Sequence, residues 1–166
     1  MENQNGISTR RLTEGAIIAA VYVALTMIFA PISFGAMQVR IAEAMTALLF
    51  FTPAAVPGLF IGCLLANILA GGVLIDIIFG SLATLIGAVG GYMLRKNRWL
   101  MPVPMILSNT VIIPFVLRYG YGVNIPLPLS AFYIFVGEFL GCFVLGEILL
   151  SVLLKRPEMF RGRGSV

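Results

Sequence analysis

Four stretches of this chain, 12–34, 73–94, 102–118 and 128–154, are long and nearly free of charge. A helix needs about 20 apolar residues to cross the hydrocarbon core of a bilayer, and each stretch supplies that span, the third with some interfacial extension. Only 11% of the 166 residues are charged and 60% are hydrophobic, against roughly 25% charged in a soluble domain. The apolar surface therefore faces lipid and is not gathered into one water-soluble core. The fold class expected is an all-α integral membrane protein.

The remaining apolar region, 41–70, is long for one span and short for two. Thr52-Pro53-Ala54-Ala55-Val56-Pro57-Gly58 stands in its middle, a strong break signal because proline cannot donate to the helical ladder. The distribution of cations decides between one span and two. With two, 41–53 and 54–71, the chain makes six crossings and both ends face the same side. Arg10, Arg11, Arg95, Lys96, Arg98, Lys155, Arg156, Arg161 and Arg163 then lie inside, with only Arg40 and Arg118 outside. That is the bias the positive-inside rule demands. The expectation is one compact six-helix membrane domain spanning 1–166, with residues 1–11 and 155–166 as cytoplasmic ends. Trp99, beside the basic loop, reads as an interfacial anchor.

Several functions are disfavoured at once. The polar start, MENQNGISTRRLTEG, does not follow the secretory-signal pattern, so the first apolar stretch is expected to be retained. Cys63 and Cys142 lie in apolar segments without metal-ligand spacing, and the chain has no histidine, which argues against a zinc or haem site and implies no cofactor. No basic stripe interleaved with aromatics points to nucleic acid. There is no GxxxxGK[ST], HExxH or GxSxG, so neither nucleotide hydrolysis by a P-loop nor a familiar hydrolase is indicated.

Against this apolar background the segment QVRIAEAMTALL carries Arg40 and Glu43 three residues apart. They could be a wet interfacial pair worth a few tenths of a kcal/mol, or the wall of a site. On the six-span topology further polar residues fall in the outer half: Asn67, Asp76, Asn109, Arg118, Tyr121 and Glu138. Asp76 could instead cap the fourth helix. Glu138, well inside the last span, is a functional candidate by position, because ionisable groups at membrane depth are costly. Gly137 and Gly141 leave room beside it for a ligand or a close helix. Glu147 lies on the opposite face and marks the inner interface or a partner contact. Together these residues describe a cavity open to the outside and suited to a small polar, planar or cationic solute. A carboxylate can accept paired hydrogen bonds from a guanine-like edge, Phe132 or Tyr133 can stack on the ring, and a protonated amine would give a second carboxylate its purpose.

The first helix carries Ala16, Ala20 and Ala24 four apart, on one face that drifts about 40° per step. Small residues allow close approach of helices in lipid, either within the bundle or against a partner.

With these residues assembled, the chain resembles the substrate-binding (S) components of energy-coupling factor (ECF) transporters. Within that group, QVRIAEAMTALLFFTPAAVPGLFIGCLLANILAGG and the DIIFGSLATLIGA that follows are similar to the queuosine-precursor transporter family, QueT, and the likeness extends over most of the chain. It implies no enzyme. It implies a subunit of the bacterial cytoplasmic membrane that captures a 7-deazaguanine, such as preQ1, preQ0 or queuine, from outside. The implied partners are a membrane coupling subunit, EcfT, docked on the Ala16–Ala20–Ala24 face, and two cytoplasmic ATPases. Other readings are an S component for another vitamin-like molecule, a self-contained carrier, or an intramembrane enzyme using Glu43, Asp76 and Glu138.

Overall fold

The computed structural model describes residues 9–33 and 39–155, and these contain helices and turns but no strand. Helix α1 (Thr9–Ile28) is followed by a single helical turn, Ala30–Ser33. Then come α2 (Ile41–Phe50), wound as a 3-10 helix, and α3 (Ala55–Leu69). Helix α4 (Asp76–Met93) opens with a π-turn, Asp76–Gly80. Helix α5 (Val103–Tyr119) precedes α6 (Leu127–Leu154), which contains a π-helical stretch, Phe139–Leu145. By length and hydropathy α1, α4 and α6 can each cross a membrane, while α2, α3 and α5 are shorter apolar helices.

The break between α2 and α3 is built by Thr52 and Pro53. The Thr52 hydroxyl accepts the Ala54 N–H at 3.2 Å and donates to Glu14 Oε2 at 2.9 Å, tying the turn to the start of α1. Its two neighbours also meet closely, since a Cβ on Gly15 would lie 3.4 Å from the Ala54 carbonyl.

Segment 41–53, expected as a short crossing helix, takes a different form. As a 3-10 helix, ten residues rise about 20 Å, short of the roughly 30 Å hydrocarbon thickness. It packs against α1, α3, α4 and α6, and Ala42 to Ala47 and Leu49 are all buried. A long 3-10 run is uncommon because its hydrogen bonds are poorly aligned. Protein on all sides supplies the packing that makes it tenable here, as irregular backbone at membrane depth requires.

Small residues set the helix spacings. A Cβ on Gly62 would stand 2.7 Å from Tyr22 Cβ and one on Gly58 2.8 Å from Ile18 Cγ2, so α1 and α3 touch through their backbones. A Cβ on Gly87 would stand 2.6 Å from Met105 Cα, which joins α4 to α5 in the same way. Such close van der Waals packing is what holds helices together where lipid removes the hydrophobic drive.

Contacts also order the ends. Glu14 meets Thr52, Gly91 meets Leu49 and Met101, and Arg98 pairs with Glu147 at 2.6 Å. Arg10, Arg11, Arg95, Lys96, Arg98 and Lys155 therefore gather at one end of the bundle, and Arg118 closes α5 at the other.

Candidate functional site

The winding of α2 decides what its polar residues can do. In a 3-10 helix side chains at i and i+3 eclipse one another, so Arg40, Glu43 and Thr46 fall in one line. All three are buried: Arg40 is 2% exposed, Glu43 and Thr46 0%. The pair at the centre of QVRIAEAMTALL is thus an interior feature and not an interfacial one.

The neighbours of that line come from every other helix. From α1, the Tyr22 hydroxyl donates to Glu43 Oε1 at 2.6 Å, while the buried Glu43 Oε2 has no partner. From α6, the Cys142 thiol donates to Glu138 Oε2 at 3.2 Å and lies 4.0 Å from the Thr46 hydroxyl. Helix α6 can approach because position 141 is glycine: a Cβ there would stand 2.8 Å from the Arg40 carbonyl. The space beside Glu138 is therefore taken by the α2 backbone. One ligand atom each from Glu43, Glu138 and Cys142 lies within 4.8 Å of the other two, the described group that a metal ion could use.

From α3, Cys63 receives Arg40 Nη1 at 3.5 Å, the Thr84 hydroxyl of α4 at 3.3 Å and Asn67 Nδ2 at 3.7 Å. Asn67 Nδ2 also reaches the Asp76 carbonyl at 3.4 Å. Asp76 does not act as a side-chain cap of α4. Its Oδ2 accepts the Tyr121 hydroxyl at 2.7 Å, and its Oδ1 lies against Gly80 with no room for a side chain. From α5, Asn109 is 0% exposed and lies beside Glu138, with neither amide atom well hydrogen-bonded.

The cluster thus holds three carboxylates, Glu43, Asp76 and Glu138, around one guanidinium, Arg40. Each carboxylate sits on or next to an irregular helical segment: the 3-10 helix, the π-turn of α4, or the π-stretch of α6. Widened and tightened turns re-aim side chains and recur at functional sites. At the rim, Tyr121 is 40% exposed. Burial and then its bond to Asp76 push the phenol up to about 12, so it remains a donor at physiological pH.

Not every residue singled out from sequence joins this group. Arg118 is exposed at the end of α5, Phe132 is 59% exposed, and Tyr133 packs on Phe132. An open mouth was expected, yet Arg40, Glu43, Asn67, Asp76, Asn109 and Glu138 are all closed over. An apolar groove of about 380 Å³ between α4 and α5, lined by residues such as Phe79, Val111 and Phe115, faces outward and lacks the polar groups of the cluster. Ala16, Ala20 and Ala24 form an exposed stripe on α1, while Ala19 beside them is buried against α3. Glu147 is held by Arg98.

The sequence profile of a family described as QueT transporter matches residues 12–155. The chain belongs to the QueT transporter family. The match takes in all six helices from early α1 onward, and with their apolar surfaces it makes this QueT-family chain a multi-pass membrane protein. Among its relatives, the queuosine precursor transporter QueT of Lactococcus lactis subsp. cremoris (strain MG1363) is 28% identical over 160 residues, covering 88% of this chain and 93% of the relative. No solved structure matches the chain.

In this QueT-family chain, sequence reasoning passed over Tyr22, Thr46, Cys63, Thr84 and Cys142. Only Thr46 carried a usable signal, its i+3 spacing from Glu43. Cys63 and Cys142 stand in apolar segments without metal-ligand spacing, and nothing in the sequence around Tyr22 marks it, since the roles of all three arise from partners on other helices.

Proposed function

We propose that the chain is the substrate-binding component of an ECF-type importer. It takes a queuosine precursor, a 7-deazaguanine such as preQ1, preQ0 or queuine, from outside and passes it inward with a coupling subunit, EcfT, and two cytoplasmic ATPases. The observation that carries this reading is the buried cluster of α2, in which Glu43 Oε2 lacks a partner and Asn109, beside Glu138, makes no well-formed hydrogen bond. Buried polar groups are rarely left unpaired, because each costs about 1–3 kcal/mol. A guanine-like base offers the complements: N1–H and a 2-amino group to donate to a carboxylate, and O6 to accept from an amide.

The Lactococcus relative, a queuosine precursor transporter, supports this ligand class. The exposed Ala16–Ala20–Ala24 stripe supports a docking face for the coupling subunit. The absence of a P-loop from the sequence supports an energy source on another chain. Gathering of the basic residues at one bundle end supports six crossings with both termini in the cytoplasm of a bacterial cell. Entry then lies at the opposite end, where the Tyr121–Asp76 bond must open.

Calorimetric titration of the purified chain with 7-deazaguanines, beside thiamine, riboflavin and biotin, tests the assignment. Binding confined to the deazaguanines is expected, weakened by about 1.5–3 kcal/mol in Glu138→Gln. Unaltered affinity in that variant removes Glu138 from the site, and binding of another vitamin instead overturns the substrate class.

A further inference from the structure

The apolar groove between α4 and α5 lies in one half of the membrane. Along α5 it runs from Val111, in the middle of the helix, to Tyr119 at its end, about 12 Å of helix. That is close to the depth of one leaflet, half of the roughly 30 Å hydrocarbon core, and the outer leaflet in the topology proposed above. The gap lies where both helices depart from regular winding. Phe79 belongs to the π-turn Asp76–Gly80, and Pro114 inside α5 leaves the Thr110 carbonyl without its usual helical donor. We propose that this groove holds one acyl chain of an anionic phospholipid whose phosphate rests on Arg118. The site stands apart from the buried cluster and does not depend on what that cluster binds.

Shape suits a single chain. A groove of about 380 Å³ has room for roughly a dozen methylenes if each is given about the 30 Å³ of a liquid water. Apart from Tyr119 its walls are Ile, Val and Phe side chains. The Phe115 and Tyr119 rings stack at 6.5 Å, with 11° between their planes, and make a flat side along which an extended chain gains many small dispersion contacts. Tyr119 is exposed at the end of the helix, where the polar tip of a tyrosine belongs at headgroup level.

Charge complementarity names the headgroup. Val111, Phe115 and Arg118 fall at i, i+4 and i+7, one row of α5, so the exposed Arg118 stands at the mouth of the groove. Among the described residues no exposed carboxylate shares this end: Glu14 and Glu147 lie at the opposite end, and Glu43, Asp76 and Glu138 are buried. A guanidinium matches phosphate through two parallel N–H bonds, and its long stem lets it reach headgroup level. A second copy of the chain fits less well, because a two-fold contact through this face would set Arg118 against its own counterpart.

The test is native mass spectrometry of the purified full chain in detergent, with phosphatidylglycerol or phosphatidylcholine of the same acyl chains added. One phosphatidylglycerol per chain should be retained, about fivefold more than phosphatidylcholine, the preference that one basic residue gives toward an anionic lipid. Arg118→Gln should bring that ratio near one, and Val111→Trp, at an exposed lining position, should lower retention of both lipids. Equal retention of the two lipids by the unmodified chain, or retention of neither, overturns the proposal. Retention unchanged in Val111→Trp places the lipid elsewhere and overturns it too. Displacement by inorganic phosphate alone makes Arg118 an anion contact without an acyl chain, with the same consequence. A dimer in these spectra that is lost in Val111→Trp assigns the groove to a second copy and overturns the lipid site. The comparison of lipids needs no variant, so a misfolded mutant cannot leave the question open.

Discussion

At the scale of single residues, the chain illustrates how a carboxylate is kept inside a membrane protein. Glu43 is fully buried, and the described bond that holds it comes from Tyr22, 21 residues earlier on another helix. Replacing Tyr22 by Phe keeps the ring and removes the donor, which leaves both oxygens of a buried carboxyl unsatisfied. Thermal unfolding in detergent should show a loss of about 1–3 kcal/mol, and an unchanged melting temperature would mean the bond is dispensable. Residues were unequally legible at this scale. Arg40, Glu43, Asp76, Glu138 and the two asparagines stand out in apolar segments because lipid penalises their polar groups. Tyr22, Cys63 and Cys142 do not, since Tyr and Cys are at home in such helices until a partner makes them polar contacts.

Among the elements, α1 shows two faces with different duties. Gly15, Ile18, Ala19, Tyr22 and Thr26 turn inward, mostly against α3, and the Ala16–Ala20–Ala24 stripe turns outward. The two faces should respond oppositely to bulk. Ala20→Trp should leave melting temperature and substrate binding as they are and abolish uptake measured with the partner subunits present. Gly62→Val should instead destabilise the chain by about 1–3 kcal/mol, as forced overpacking does, because its side chain would enter Tyr22. If Ala20→Trp also lowered the melting temperature, the stripe would belong to internal packing. The form of α2 was less legible. The proline break after it was plain, but nothing in IAEAMTALLF demands 3-10 winding, and that winding aligns Arg40, Glu43 and Thr46 by packing from four neighbouring helices.

For the molecule as a whole, the separation of basic residues from the buried polar cluster predicts a division of labour. The purified chain should bind its ligand without nucleotide, and vesicles holding it alone should not accumulate that ligand. Adding the coupling and ATPase subunits with ATP should restore accumulation, and uptake by the chain alone would point to a self-contained carrier. The sequence by itself determined that the chain is helical and membrane-embedded and that carboxylates stand at costly depths. These follow from hydropathy and charge, which act along the chain and can be read there. Tertiary structure alone decided which atoms face Glu43, that Arg118 stands apart, and that the site is closed. Those outcomes depend on how six helices press together through Gly58, Gly62, Gly87 and Gly141, and contacts between distant residues leave no local periodicity to read.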